Sequence, residues 1–140
     1  MATSYIKPPA FLARVVNPVV VRLGLGTQLV VRGRRSGALI RVPLGAPLEL
    51  DGVRYLVSGR GVTHWVRNLR AAGTATLRRG GRSEPFRAVE ITGDEQLRIV
   101  GAYRERLGRS VDPYFAVIPD PRDHPVFRID PIEAATPAPR

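Results

Sequence analysis

Apolar and polar residues alternate along much of this chain, with a period of two that predicts β-strands. Short turn signals separate the alternating segments, at Ser36-Gly37, Asp51-Gly52 and Gly80-Gly81. Neighbouring strands joined by such turns pair antiparallel, because parallel pairing needs a long crossover connection. Six strands are predicted: Gln28–Arg34, Ala38–Leu50, Val53–Ser58, Thr74–Arg79, Arg82–Ile91 and His124–Ile129.

Elsewhere apolar residues recur at intervals of three and four, which predicts helices. Thr63 is a suitable N-cap for the middle helix, and Thr92 with Glu95 matches a capping box for the last. Residues 108–123, with three prolines, read as a loop. The predicted helices are Pro9–Leu23, kinked at Pro18, His64–Ala72 and Thr92–Leu107.

These elements predict a mainly β (α+β) fold, a six-stranded antiparallel barrel capped by N-terminal, middle and C-terminal helices. Residues 1–130 are expected to form one domain. The Pro- and Ala-rich residues 131–140 are expected to form a disordered tail.

The formal net charge of +10 lies almost entirely in the first two-thirds of the chain. Residues 14–87 contain 14 arginines against three acidic residues. Such a field attracts polyanions, whether nucleic acid, a phosphorylated cofactor or an anionic membrane surface. Nucleic acid ranks last, because interleaved exposed aromatic residues are missing.

The composition excludes several kinds of chemistry. No cysteine is present, so neither a disulfide scaffold nor a thiolate nucleophile is available, and two histidines without a carboxylate cluster give no metal site. Neither His64 nor His124 has the sequence context of a hydrolase triad. No targeting segment or membrane span is evident, so we expect a cytoplasmic protein whose apolar N-terminal helix could touch a membrane surface.

Two segments have the chemistry of an anion site. The hairpin turn carries Arg32, Arg34, Arg35 and Arg41 together with the Ser36 hydroxyl and free backbone N–H groups. The turn at residues 58–61 leads directly into a helix N-terminus, where phosphate and carboxylate bind readily. For the hairpin, the equally weighted alternative is an exposed turn with solvated arginines. For residues 58–61 it is a connector that binds no ligand.

Four segments follow one another at fixed spacing: Gly33–Gly37 (GRRSG), Val42–Leu44 (VPL), Tyr55–Gly61 (YLVSGRG) and His64–Leu69 (HWVRNL). Together they resemble the deazaflavin-dependent nitroreductase and quinone reductase family. The resemblance implies a split β-barrel related to the barrels that bind flavin mononucleotide. It also implies reduction of quinones, nitroaromatics or similar electrophiles by the reduced 8-hydroxy-5-deazaflavin coenzyme F420, with flavin mononucleotide the less favoured cofactor.

The resemblance also assigns residues. It implies that Tyr114 and Tyr103 are proton donors above the ring, although a packed aromatic with a satisfied hydroxyl is the commoner role of tyrosine. The hairpin would hold the phosphate and acidic tail of the cofactor, and the second turn with the following helix would lie against its ring and ribityl chain. The implied cofactor-binding residues are Arg34, Arg35, Ser36, Gly37, Arg41, Val57, Ser58, Gly59, Arg60, Gly61, Trp65 and Asn68.

Three departures from the family bear on the substrate. Ile40 stands where an arginine is usual, and Arg41, one step along the strand, points to the opposite face. The turn after Ser58 lacks the usual lysine and leaves Arg60 in its place, and tyrosines are fewer in the C-terminal region. The alternative is therefore a non-catalytic barrel that binds a fatty acid or another hydrophobic ligand. A homodimer that covers open sheet edges is also expected of such barrels.

Overall fold

The computed structural model describes residues 26–132. The helix predicted at Pro9–Leu23, with its proposed membrane contact, and residues 133–140 lie outside this range. The strands are β1 (Thr27–Arg32), β2 (Leu39–Leu44), β3 (Leu48–Leu50), β4 (Val53–Val57), β5 (Thr74–Arg79), β6 (Arg82–Ile91) and β7 (Val126–Pro131). The helices are α1 (His64–Ala72), α2 (Gly93–Leu107) and α3 (Asp112–Val117), with 3-10 turns at Gly108–Ser110 and Pro121–Asp123.

All strands join one antiparallel sheet in the order β2-β1-β5-β6-β7-β4-β3. The prediction of six strands is wrong by one, because Gly45–Pro47 divides the strand predicted at Ala38–Leu50. Pro47 has no N–H to donate to a ladder, and Gly45 has no side chain to pack, so continued pairing is disfavoured at this point. The two halves lie at opposite edges of the sheet.

The connection from β2 to β3 determines the curvature of the sheet. Only three residues separate Leu44 from Leu48, so the two edges can be no more than about 14 Å apart at this point. A flat sheet of seven strands would separate its edges by about 29 Å. The sheet therefore curls into a half-barrel whose edges meet at the β2–β3 link.

Helix α1 fills one end of the half-barrel. Its Trp65, Val66 and Leu69 are buried among inward-facing strand residues. The Thr63 Oγ1 accepts a hydrogen bond from the Val66 amide, which confirms the predicted N-cap, and Gly73 ends the helix in the left-handed region at φ 76°. The strand residues of this core are Leu29, Val31, Leu56, Leu77, Phe86, Phe127 and Ile129.

Helices α2 and α3 cover the outer face of β7, β4 and β3, where Ile99, Val100 and Phe115 pack against the strands. Residues 108–123 are not the predicted loop, because Phe115 is buried and ordered in α3, whose first turn tolerates a proline. The predicted capping box is also wrong. Thr92 makes no side-chain cap bond, and the carboxylate of Glu95 binds Arg98 instead.

Replacing Leu69 by alanine tests whether α1 is the centre of the core. Leu69 is 0% exposed, so Leu69→Ala leaves a cavity and should lower the free energy of unfolding by about 2–5 kcal/mol. Leu39→Ala removes the same atoms from a residue that is 62% exposed, and should change it by less than about 0.5 kcal/mol. Equal losses in the two variants, measured by urea denaturation, would contradict this description of the core.

Candidate functional site

The β1–β2 turn is fixed to the first turns of α1. The backbone N–H of Arg34 and its Nη1 both donate to Oδ1 of Asn68, at 3.1 and 2.7 Å. Asn68 is buried, so its amide oxygen is a rigid anchor. The Arg34 Nη2 lies 3.4 Å from Nδ1 of His64, and since a guanidinium only donates, Nδ1 is the acceptor in this contact. Arg34 and Asn68, two residues of the predicted site that are 34 positions apart, are thus joined by hydrogen bonds.

The GRRSG sequence folds as the turn requires. Gly37 has φ 73°, which favours glycine, and its N–H donates to the carbonyl of Gly33. A Cβ at Gly33 would lie 2.9 Å from Cδ1 of Ile40 and 3.0 Å from Ser36 Oγ, so a larger residue there would displace these two side chains. Ser36 Oγ accepts from the Ala38 N–H at 3.1 Å and keeps its own proton to donate.

Among the residues that the structure describes, the guanidinium groups around this turn have no carboxylate partner. Five arginines of residues 26–132 form ion pairs, and Arg34, Arg35, Arg41 and Arg60 are not among them. Arg35 is exposed at the turn, and Arg60 is half-buried. Their charge is therefore available to an anion.

Arg41 and Ile40 point to opposite faces of the sheet. Ile40 is opposite Val31, a residue of the inner core, whereas Arg41 is opposite Val30 on the outer face. This register places Arg41 on the face away from Trp65, and within residues 26–132 no side-chain hydrogen bond or ion pair joins it to the turn residues. Of the predicted cofactor-binding residues, Arg41 is therefore one that lies on the opposite face of the sheet from Trp65.

The turn after β4 is held at Ser58 by three hydrogen bonds and a contact with His124. The Ser58 N–H donates to the Pro125 carbonyl at 2.9 Å, its hydroxyl donates to the Gly61 carbonyl, and its carbonyl accepts from the Gly61 N–H at 3.3 Å. The same Ser58 carbonyl lies 3.2 Å from Nδ1 of His124. Gly61 takes φ 82° and leads the chain into the N-cap of α1. The backbone of this turn is thus fixed in place beside the helix start.

His124 is a residue that sequence reasoning placed only at a strand end. It is 0% exposed, its Nε2 lies 2.7 Å from the Ile118 carbonyl, and its ring stacks on Phe115 at 4.0 Å between centroids. The ring therefore ties the segment after α3 to the turn at Ser58. No local signal could reveal this, because the two carbonyls lie 6 and 66 positions away along the chain.

Both predicted tyrosines contact the turn at Gly59. A Cβ at Gly59 would lie 2.6 Å from the Tyr103 hydroxyl oxygen and 2.9 Å from Cδ2 of Tyr114, so only glycine allows this packing. Burial raises the pKa of Tyr103 to about 12, the neighbouring Tyr114 acts in the same direction, and the Arg60 guanidinium opposes them. The Tyr103 hydroxyl is therefore protonated throughout the neutral range.

A cavity of about 400 Å³ lies between the β2–β3 link and the C-terminal end of α2. Most of its lining is apolar, and the lining residues whose side chains carry a polar group are Tyr55, Trp65, Tyr103 and Arg106. Helix α1 adjoins both the cavity, through Trp65, and the β1–β2 turn, through Asn68. The lining residues are Leu44, Gly45, Ala46, Pro47, Leu48, Tyr55, Leu56, Val57, Trp65, Tyr103, Arg106 and Leu107.

The predicted site residues thus form two connected groups. Val57, Trp65 and Tyr103 line the cavity, and Arg34 and Asn68 are hydrogen-bonded to each other beside it on α1 and the β1–β2 turn. The link segment 44–48 and Arg106 were missed, because nothing in the local sequence shows that β2 and β3 meet α2 across a gap. None of the helices within residues 26–132 has the length and apolar character to cross a membrane.

Comparison with known proteins matches residues 12–112 to the model of the F420H(2)-dependent quinone reductase family. No curated protein matches the chain. A solved F420-H2 dependent reductase, FDR-A, is 24% identical with a TM-score of 0.55, over 75% of this chain and 93% of its own. A domain-swapped dimer is 25% identical with a TM-score of 0.54, over 75% and 79%. The haem storage protein of Vibrio cholerae shares the fold at 13% identity, with a TM-score of 0.58 over 84% and 91%.

The burial of Tyr103 predicts a delayed ionisation. In an ultraviolet titration one tyrosine should ionise near pH 12, and Tyr103→Phe should abolish this step while Tyr114→Phe retains it. The folded pKa of Tyr103 exceeds the unfolded value of 10.0. The contribution of its protonated hydroxyl to the free energy of unfolding is therefore fully present below about pH 10 and is lost as the pH rises through about 12. Ionisation of Tyr103 near pH 10 would contradict its packing against Gly59.

Proposed function

Because this chain belongs to the F420H(2)-dependent quinone reductase family, we propose that it is an oxidoreductase that binds the deazaflavin coenzyme F420 and reduces a quinone, a nitro compound or a similar electrophile. The reduced coenzyme supplies the hydride when bound. The residues of the chain bind and orient the two reactants and exclude water from them. The observation that carries the proposal is the position of α1, which joins an apolar cavity to a turn whose arginines have no carboxylate partner within residues 26–132.

The residues present fit such a cofactor. Its phosphate and acidic tail need cationic partners, and Arg35 and Arg60 have no carboxylate partner within residues 26–132. Its planar ring needs an apolar slot, which Trp65 and Val57 offer in the cavity of about 400 Å³. The arginines therefore suit the anionic tail of F420, and the cavity suits its planar ring.

Within the turn, the arginines have different tasks. Arg34 is committed to Asn68 through two hydrogen bonds, so it positions the turn. Arg35 is exposed and unpaired within the described part of the chain, so it is the direct anion contact, supported by the Ser36 hydroxyl. A ligand phosphate at this point would meet groups that are already in place before binding, which lowers the entropy cost of binding.

The Tyr103 hydroxyl can serve the substrate. Tyr103 is a lining residue of the cavity, and the raised pKa of about 12 keeps its hydroxyl neutral and able to donate at Oη. A quinone or nitro oxygen gains negative charge when it is reduced, and a placed hydrogen-bond donor stabilises that charge. Tyr114, whose ring packs on Gly59 beside Tyr103, remains the second candidate donor.

The apolar cavity lining also favours a second function, the binding of a fatty acid or similar ligand without catalysis. Most of the lining residues, among them Leu44, Leu48 and Leu56, are aliphatic, which suits an acyl chain. Arg106 donates to the Glu49 carbonyl at 3.4 Å and could meet a carboxylate head group.

Removing the exposed turn charge tests the first function. Arg35→Ala should weaken binding of F420, followed by the fluorescence of the cofactor, by more than about tenfold, because a charge-assisted contact is lost. Arg109→Ala, which removes an equal exposed charge from the turn after α2, should leave affinity unchanged. Equal affinity of wild type and Arg35→Ala would refute the phosphate assignment.

A second measurement separates the two functions. Protein purified without denaturation should show affinity for F420 in titration and yield no stoichiometric fatty acid on solvent extraction and mass analysis. Tyr103→Phe should then lower kcat by about tenfold or more, with little change in cofactor affinity. A bound fatty acid together with no affinity for F420 would establish the hydrophobic-ligand function.

A further inference from the structure

The end of the half-barrel away from α1 carries a second cavity, of about 460 Å³. Thr27 begins β1 at this end, whereas the site turn follows the other end of the same strand, about 20 Å away. Pro47 lines this cavity and the first one, so the two lie on either side of the β2–β3 link. The lining residues are Thr27, Pro47, Arg54, Leu77, Arg79, Arg82, Ser83 and Glu84.

Two positive charges face each other at this cavity. Arg79 and Arg82 are directly opposite in the β5–β6 register, so their side chains share one face of the sheet. Glu84 does not neutralise them, because its carboxylate accepts two hydrogen bonds from the guanidinium of Arg54. Glu49, opposite Arg54 in the β3–β4 register, also adjoins that guanidinium. No carboxylate within residues 26–132 pairs with Arg79 or Arg82.

A buried hydroxyl lies beside this pair. Thr27 is opposite Arg79 in the β1–β5 register and is only 6% exposed. In the part of the chain that the structure describes, no group forms a hydrogen bond with its Oγ1. Buried hydroxyl groups normally have a partner, because an unmet hydrogen bond is costly. The cavity is the space from which that partner could come.

We propose that this cavity binds a phosphate group. Arg79 and Arg82 would donate charge-assisted hydrogen bonds to its oxygens, and Thr27 would donate from Oγ1. Arg54 is paired with Glu84 and adjoined by Glu49, so the charges left for a dianion are those of Arg79 and Arg82. The group is inorganic phosphate or the phosphate of a small monoester, and the site is independent of the residues proposed for F420.

Calorimetric titration at constant ionic strength tests the proposal, with inorganic phosphate and phenyl phosphate as probes. Wild type should bind at least one of them, and the double variant Arg79→Gln/Arg82→Gln should bind at least about tenfold more weakly. Thr27→Val, which keeps the shape of the side chain, should also weaken binding about tenfold, because one hydrogen bond to a charged group is lost. Tighter binding of phenyl phosphate than of inorganic phosphate would identify a monoester as the ligand.

Matched controls keep the result interpretable. Arg109→Gln/Arg122→Gln removes two exposed charges elsewhere and should bind phosphate like wild type. In chloride buffer the Arg79→Gln/Arg82→Gln variant should melt at the same temperature as wild type or higher, since a repulsive pair is removed. Its affinity for F420 should equal that of wild type, which separates this site from the proposed cofactor site. Phosphate binding that is unchanged in this variant, or absent from wild type, would overturn the proposal.

Discussion

The three-residue connection between β2 and β3 governs the shape of this protein. It joins strands at opposite edges of a seven-stranded sheet, so the sheet must curl until those edges approach each other. The curl creates an interior that α1 fills from one end with Trp65, Val66 and Leu69. It also leaves a gap beside the link, which α2 faces through Tyr103 and Leu107. The apolar cavity is thus a consequence of how the barrel closes.

Hydrogen bonds from distant segments then fix the polar groups around that cavity. Asn68, buried on α1, accepts two bonds from Arg34 and so sets the position of the β1–β2 turn. His124 and Pro125 fix Ser58 from the far end of the chain. Because these anchors are buried and directional, the exposed groups beside them are ordered without a ligand, which is the arrangement that favours binding.

Arginines with and without carboxylate partners both occur in the described part of the chain. Arg70 of α1 pairs with Glu90 of β6, and Arg54 pairs with Glu84 beside the second cavity. The exposed arginine of the site turn and the arginine pair at the second cavity have no such partner within residues 26–132. At these two places the positive charge is left for a bound anion to neutralise.

The sequence alone determined the local elements, because strand alternation, turn residues and caps are short-range signals. It predicted α1, β5 and β6 with their observed bounds, and its family resemblance agrees with the matched family. It joined β2 to β3 and missed α3, because the edge position of a strand and the burial of Phe115 depend on distant neighbours. Only the tertiary structure placed Tyr103 against Gly59 and His124 against Ser58, since these contacts join segments that are 44 and 66 residues apart. Residue types and spacing can indicate that an anion is bound, but the curl of the sheet decides which charges meet at one place.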